Sequence, residues 1–453
     1  MKDLNTSTKE FQGFKRALGH FISEACENFS HGSIPRMAWK RIIRAENTAQ
    51  LKLEDRPNYS DLVFPFFRSL HYKPTNSFKK VINIVEKTPK LAKVLLVDGI
   101  GNHIDDKTFR EWEVTNKLAG SFLSLYFTYA KSPTFSEQVY NEVFDIFISD
   151  ITSERVTVKI LNPLLNARLT NCEQMCIAPH LIIRNISDFE LEDWINSFVD
   201  QHQFSLIGGL RVDRLNCAIE TTWEQGRYEP QENQVCTDAI SNLLTTLRVV
   251  TDRNVNIAFT KPSSSSILQK GLDSTSNIKS HLTDIDIVAD IDVSLKQDIT
   301  NIWTRITSLS NKNRIQLALK RWNTVSHRSD EKDKLIDYWI ALEALFSESS
   351  QEVRYRASLR IAALTGDTPE ERRQIYDDMK DSYDLRSAIV HGDVFQKGKK
   401  NKKDNHILIS RTRYCLRKTL LKLLLSEKTI DPMSIELELL DKYKEKIVPS
   451  EKS

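Results

Sequence analysis

The last third of the chain carries a helical pattern that runs almost without interruption from about residue 294. Apolar residues recur there at spacings of three and four, and glycine occurs only at positions 366, 392 and 398. The pattern predicts helices over 294–325 with a break near 310–313, 331–347, 350–365, 368–391 and 405–427. We therefore expect an all-helical domain over 295–430, followed by a short helical tail at 431–453.

The first 290 residues have a different pattern of apolar residues, which is typical of a mixed α/β region. Helical spacing of apolar residues is found in 11–22, 109–125, 189–199 and 239–250. Short runs rich in β-branched residues predict strands at 143–151, 156–160, 181–186, 210–219 and 255–259. The Ser-rich segment 260–281 is the best linker candidate. The expected fold class is α+β, with residues 1–290 as a possible sensor or regulatory domain.

Charge is distributed unevenly along the 453 residues, although the whole chain carries only +3. Residues 301–453 contain 30 Lys and Arg against 23 Asp and Glu, a net of +7, which leaves −4 for the first 300. A basic C-terminal third favours an anionic partner. No apolar run reaches the roughly 18–20 residues that a membrane span needs, and the first residues lack a signal-peptide core. We expect a cytoplasmic protein with no membrane partner.

Two charged residues occupy apolar helix faces in the predicted C-terminal domain. On a wheel at about 100° per residue, Arg386 falls within the apolar face of helix 368–391, and Glu343 falls within that of helix 331–347. Burying one charge alone costs several kcal/mol, so each needs a partner. We predict that Glu343 and Arg386 pair. Two alternatives are that Glu343 pairs with Arg360 and that one of the two faces is exposed.

His391 ends the same predicted helix, directly before Gly392, which can supply a left-handed C-terminal residue. It follows Arg386 by five positions, or about 140° around an ideal helix, so the two side chains diverge. Asp384, Ser387 and His391 share one face. A histidine in this position is a candidate for proton transfer, and the alternative is an ordinary surface histidine.

These residues belong to a string, YDLRSAIVHGD (383–393), that resembles the Arg-x4-6-His signature of the HEPN superfamily. Two upstream strings, DYWIALEALFSE (337–348) and VRYRASLRIAALTG (353–366), resemble the Apea-like branch of that superfamily. All three occur in the order and spacing of the family, and the resemblance covers about 295–430. The first 290 residues carry no motif of this kind, so their role stays open.

The resemblance implies an antiparallel helical bundle that forms a homodimer, with the two motifs facing each other across the twofold axis. Active members are endoribonucleases that need no metal or other cofactor, often toxins or effectors of antiviral defence. Arg386 and His391 would be catalytic, with Glu343, Asp384 and Ser387 in support. The 2′-OH of RNA would attack the adjacent phosphate to give a 2′,3′-cyclic phosphate. The alternative is a catalytically silent module for dimerisation or RNA binding. In either case the N-terminal region would bind a molecule that triggers the protein.

A run of lysines follows the motif directly. It consists of Lys397, Lys399, Lys400, Lys402 and Lys403. On the nuclease hypothesis this run binds RNA phosphates, and the alternative is a solvated surface loop.

Cysteine and histidine occur together in Cys172, Cys176 and His180, with three residues between each pair. A closed zinc site needs four ligands, so we interpret the two cysteines as buried structural residues and predict no metal site.

Overall fold

A computed structural model describes most of the chain, and the helices and strands are numbered here in chain order. The described residues are 9–30, 36–45, 48–57, 63, 66, 70, 74–96, 104–187, 190, 215–227, 233–266, 288–310, 313–347, 353–392, 405–426 and 434–438. The chain divides into two compact units, the first consisting of Met1–Leu165, Pro179–Cys236 and Ile257–Ile285. The second consists of Asn166–Ala178, Thr237–Asn256 and Asp286–Ser453. This division differs from the predicted single boundary near residue 290.

The first unit begins with helices that share one aromatic core. They are α1 (Lys9–Ser30), α2 (Asn76–Lys87), α3 (Pro89–Leu95), α4 (Lys107–Thr115), α5 (Leu123–Ala130) and α6 (Glu137–Thr152), with a π-helical turn at Asn116–Phe122 between α4 and α5. Phe14, Phe21, Phe78, Phe122 and Phe147 are fully buried in this core. The helices predicted over 11–22 and 109–125 are confirmed.

The strand predicted over 143–151 is wrong, because this segment lies inside α6. Ser136 starts the helix by accepting a hydrogen bond from the backbone N–H of Val139 at 3.4 Å. The buried residues of α6 are Tyr140, Val143, Phe144, Phe147, Ile148 and Ile151. Their spacing of three and four is that of a helix face, although the same letters also make a short apolar run.

An antiparallel sheet completes the first unit. Strand β3 (Arg155–Leu165) pairs with β7 (Cys217–Gly226), which also pairs with β6 (Leu181–Asn185). A separate hairpin consists of β1 (Arg36–Ala45) and β2 (Thr48–Pro57). The strands predicted at 156–160 and 181–186 are confirmed. The helix predicted over 189–199 lies outside the described residues except for residue 190. Residues 215–219 of the strand predicted over 210–219 are described, and β7 begins there at Cys217.

The start of the predicted linker 260–281 is a strand. Strand β9 (Lys261–Ser264) pairs antiparallel with β3, with Pro262 opposite Ile160. Ser263 and Ser264 are therefore part of the sheet. The prediction of a linker is wrong for this part of the segment, because a Ser-rich composition does not exclude a strand. The remainder of the segment, from 267, lies outside the described residues. The strand predicted over 255–259 is reduced to β8 (Asn256–Ile257).

Seven long helices dominate the described part of the second unit. The sequence predicts all seven, six of them within the C-terminal domain in the right order and with nearly the right bounds. They are α7 (Asn233–Thr251, within this unit from Thr237), α8 (Lys296–Ser308), α9 (Arg314–Val325), α10 (Glu331–Phe346), α11 (Val353–Thr365), α12 (Pro369–His391) and α13 (Asn405–Leu425). The predicted break near 310–313 is confirmed, because α8 ends at Ser308 and Asn313 caps α9. Three short strands also belong to this unit: β4 (Ala167–Thr170), β5 (Gln174–Ala178) and β10 (Ala289–Asp292). β10 pairs parallel with β4.

Helix α7 extends the helical domain beyond the predicted segment 295–430. Arg417 of α13 donates hydrogen bonds to the carbonyl oxygens of Val249 and Val250, at 2.7 and 2.6 Å. Arg248 of α7 donates to Asn323 of α9 at 3.0 Å. The sequence correctly predicts this helix over 239–250 but places it in the N-terminal region.

The two units together make an α+β protein, as predicted, with a helical C-terminal region and a predominantly antiparallel sheet nearer the N-terminus. Helical residues also occur at 434–438, in the predicted tail. None of the described helices is long and apolar enough to cross a membrane.

Candidate active site

Helix α12 places the Arg-x4-His motif, and its two ends have clear chemical causes. At the start, Pro369 occupies the first turn and the Thr368 hydroxyl accepts a hydrogen bond from the backbone N–H of Glu371 at 3.2 Å. At the end, Gly392 adopts the left-handed conformation with φ of 76°. His391 is therefore the last residue of α12, and its side chain is exposed.

The predicted pairing of Glu343 with Arg386 is confirmed as an ion pair. Arg386 Nη2 lies 3.6 Å from Glu343 Oε1, which is longer than a hydrogen bond. The side chains are 23% and 26% exposed, so the pair is half-buried and not enclosed in the core. The alternative partner, Arg360, donates instead to Glu436 at 2.8 Å and to the carbonyl oxygen of Phe346.

The surroundings of this pair change the pKa of Glu343 and hold the guanidinium of Arg386 in position. Burial raises the pKa of the Glu343 carboxyl, and the charge of Arg386 lowers that pKa in part. The Arg386 guanidinium lies 5.7 Å from the ring centroid of Tyr383, within range of a cation–π contact. Its Nε is buried and has no hydrogen-bond partner among the described residues. Charge and an aromatic ring therefore position the guanidinium.

A buried chain of hydroxyl groups fixes α12 against its neighbours, and sequence reasoning missed it. Trp339 Nε1 of α10 donates to Ser382 Oγ at 2.9 Å, and Ser382 Oγ lies 2.5 Å from Thr412 Oγ1 of α13. Thr412 Oγ1 donates to the carbonyl oxygen of Leu408 at 2.7 Å. Because Thr412 uses its proton there, Ser382 donates to Thr412, and the chain runs in one direction from α10 to α13. It holds α12 one turn before Arg386.

We expect Ser382→Ala to lower the free energy of unfolding by about 1–3 kcal/mol, because it leaves the buried Trp339 N–H without an acceptor. Urea unfolding monitored by circular dichroism measures the change. Ser410→Ala removes an exposed hydroxyl from α13 and serves as the matched control. Equal stability of the two variants would contradict the role of the hydroxyl chain.

The residues predicted to support the motif are placed separately. Arg354 Nη2 of α11 donates to Asp384 Oδ2 at 2.6 Å, and both side chains of this ion pair are exposed. Ser387 is half-buried on α12. The lysine run (Lys397, Lys399, Lys400, Lys402 and Lys403) lies outside the described residues.

The cysteine–histidine run has a different environment from the one expected. Cys172 is half-buried and Cys176 is exposed, so the interpretation of both as buried structural cysteines is wrong. Cys176 Sγ lies 3.3 Å from the carbonyl oxygen of Ala178. Within the part of the chain that the structure describes, no three His, Cys, Asp or Glu residues are grouped so that they could hold a metal ion.

Comparison with family models, with curated proteins and with solved structures finds no match to this chain. The HEPN resemblance stays a prediction from the motif strings.

Proposed function

We propose that the chain is a metal-independent endoribonuclease of the HEPN type, with Arg386 and His391 as its catalytic residues. The observation that carries the proposal is the end of α12. There the motif histidine is exposed at the last helical position, and the motif arginine is held one turn earlier by Glu343 and Tyr383. Phosphodiester cleavage needs a positioned cation and an exposed proton-transfer group, and the end of α12 carries one of each.

The proposed reaction is an internal transesterification of RNA. The 2′-oxygen attacks the adjacent phosphorus, the bond to the 5′-oxygen of the next nucleotide breaks, and the products are a 2′,3′-cyclic phosphate and a 5′-OH. His391 takes the proton from the 2′-OH or gives one to the leaving 5′-oxygen, and water accepts or supplies the other proton. Arg386 stabilises the negative charge that builds up on the phosphoryl oxygens.

A homodimer fits the divergence of the two motif side chains. Helix α12 continues through His391, so Arg386 and His391 stay about 140° apart around its axis. In a dimer with the two motifs face to face, the histidine of one copy can meet the arginine of the other. We further propose that the lysine run binds phosphates, that the first unit responds to a trigger, and that the protein acts in the cytoplasm as a defence effector or toxin.

A silent module for dimerisation or RNA binding is the second candidate. The half-buried ion pair of Arg386 with Glu343 favours it, because the arginine already has a partner in the folded chain. Cleavage of RNA by the purified protein separates the two candidates.

We expect cleavage of single-stranded RNA to persist unchanged in excess EDTA, because the proposed chemistry uses only the 2′-OH and two side chains. An oligonucleotide with one 2′-deoxynucleotide at the cleaved position should resist at that position and be cut elsewhere. Gel analysis of end-labelled oligonucleotides measures both effects. Loss of activity in EDTA, restored by added Mg²⁺, or equal cleavage of the deoxy position, would contradict this mechanism.

A further inference from the structure

Helix α12 carries a stripe of polar and aromatic residues that leads away from His391. The stripe consists of Tyr376, Lys380, Asp384, Ser387 and His391. At about 100° per residue, these positions fall within about 80° of one another, so they form one face of the helix. At about 1.5 Å per residue, the stripe is roughly 22 Å long from Tyr376 to His391. Arg386 lies outside it, towards the buried face.

Helix α11 adds a second row of side chains beside this stripe. Arg354 reaches Asp384, and Tyr355 packs edge-to-face on Tyr376 with the ring centroids 6.1 Å apart. Lys380 Nζ lies 5.0 Å from the centroid of the Tyr376 ring. Two aromatic rings in mutual contact and two cations, Lys380 and Arg354, therefore line the surface where α11 and α12 meet, and Arg354 is paired with the Asp384 carboxylate.

The exposure of these groups indicates a surface that is available to a ligand. The Tyr355 side chain is 53% exposed, although it already contacts another ring. Arg354 is 44% exposed, and within the described residues its hydrogen bond to Asp384 uses Nη2, so other guanidinium N–H groups can donate to a phosphate. Lys380 is half-buried, with its ammonium held by the Tyr376 ring.

Exposed aromatic rings next to cations suit single-stranded nucleic acid. Any base can stack on an exposed ring, and lysine or arginine can bind the phosphates between the bases. A helix-rich protein partner would instead require a continuous apolar face, and the stripe has charged residues at two of its five positions. The stripe also ends at the residue that we place at the cleaved phosphate.

We propose that Tyr355, Tyr376, Lys380 and Arg354 form a binding track for single-stranded RNA that leads to His391. Tyr355, which packs on Tyr376, stacks on a base roughly 22 Å from His391, as judged from the rise along α12. Lys380 and Arg354 bind the intervening phosphates. The role of the track in cleavage rests on the proposed ribonuclease function. RNA binding by the track is measured separately from cleavage.

The test measures RNA binding by the full chain in a variant that cannot consume the probe. Fluorescence anisotropy with a labelled ten-nucleotide single-stranded RNA gives the affinity in a His391→Ala background. We expect Tyr355→Ala to weaken binding about tenfold, and Tyr355→Phe to retain it, because stacking needs the ring and not the hydroxyl. Lys380→Ala should weaken binding and reduce by about one the slope of log affinity against log salt.

Helix α13 offers a matched control for the tyrosine. Tyr414 is 46% exposed, and Lys418 Nζ lies 5.9 Å from its ring, so it is a second exposed tyrosine with a cation. It does not belong to the stripe. Tyr414→Ala should leave the RNA affinity unchanged, which shows that the effect of Tyr355→Ala is local.

Equal RNA affinity of Tyr355→Ala and its parent would overturn the track. So would a change in oligomeric state by light scattering with no change in RNA affinity, because the surface would then join two copies of the chain. If the wild-type chain cuts RNA while Tyr355→Ala has no effect on binding, only the track fails. If the wild-type chain binds RNA through Tyr355 but never cuts it, the track stands and the proposed ribonuclease fails.

Discussion

Replacing His391 with alanine is expected to lower the rate of RNA cleavage by about two to four orders of magnitude while leaving the fold intact. The loss follows from the proposed proton transfer, since general acid–base catalysis contributes about that factor. The fold should persist because His391 is exposed at the last position of α12 and packs in no core. Cleavage rates and urea unfolding of the same preparation measure the two effects.

Helix α13 supplies a matched histidine, His406, which is also exposed and lies in the first turn of its helix. His406→Ala should cut RNA at the parental rate. The catalytic role of His391 fails if its alanine variant cleaves as fast as the His406 variant. It fails as well if the His391 variant loses activity only because it is unfolded.

Arg386→Ala is expected to abolish cleavage and also to lower the free energy of unfolding by about 1–3 kcal/mol. The activity is lost because no cation remains to stabilise the phosphoryl oxygens. The stability is lost because the half-buried Glu343 carboxylate is left without a counter-charge. A fully enclosed pair would give about 3–5 kcal/mol, but both side chains are about one-quarter exposed and solvent screens the remaining charge.

The destabilisation by Arg386→Ala should depend on pH. The charge of Arg386 lowers the pKa of Glu343, so its removal raises that pKa further above the ordinary value. A carboxyl whose pKa is raised by folding stabilises the fold when protonated, and this contribution is lost as pH rises through the folded pKa. The stability loss should therefore be smaller near about pH 4 than near pH 7.

Glu343→Gln separates the two effects of Arg386→Ala. Combined with Arg386→Ala, it removes the unpaired carboxylate and should recover most of the lost stability without recovering cleavage. If the double variant regains activity, Arg386 acts through Glu343 and not on the phosphate. If the single Arg386 variant keeps full stability, the ion pair contributes nothing to the fold.

The helical half of the fold could be predicted because its signals are local. Thr368 and Pro369 start α12 through capping, and Gly392 ends it through a positive φ, and all three can be identified by residue type. The pairing of Glu343 with Arg386 was also predictable, because two opposite charges on apolar faces of one helical bundle each need a counter-charge and lie within the same core. Both inferences need only helix periodicity and the cost of burying a charge.

The errors arise where the decisive contact is remote in sequence. The strand predicted at 143–151 is a helix because its capping residue and its neighbours in the aromatic core lie outside the segment. The Ser-rich stretch contains β9 because it pairs with β3, which lies about 100 residues earlier in the chain. The acceptor for Trp339 is Ser382, and no local pattern marks a serine as part of a buried hydroxyl chain.

The chemistry of the product ends decides whether the end of α12 cuts RNA by internal transesterification, as proposed. The purified chain and His391→Ala are incubated with labelled single-stranded RNA in EDTA, and the products are examined by mass spectrometry. We expect 2′,3′-cyclic phosphate and 5′-OH ends with the parent, and no products above background with the variant. Products with 5′-phosphate ends, or no cleavage by the parent, would refute internal transesterification at this site.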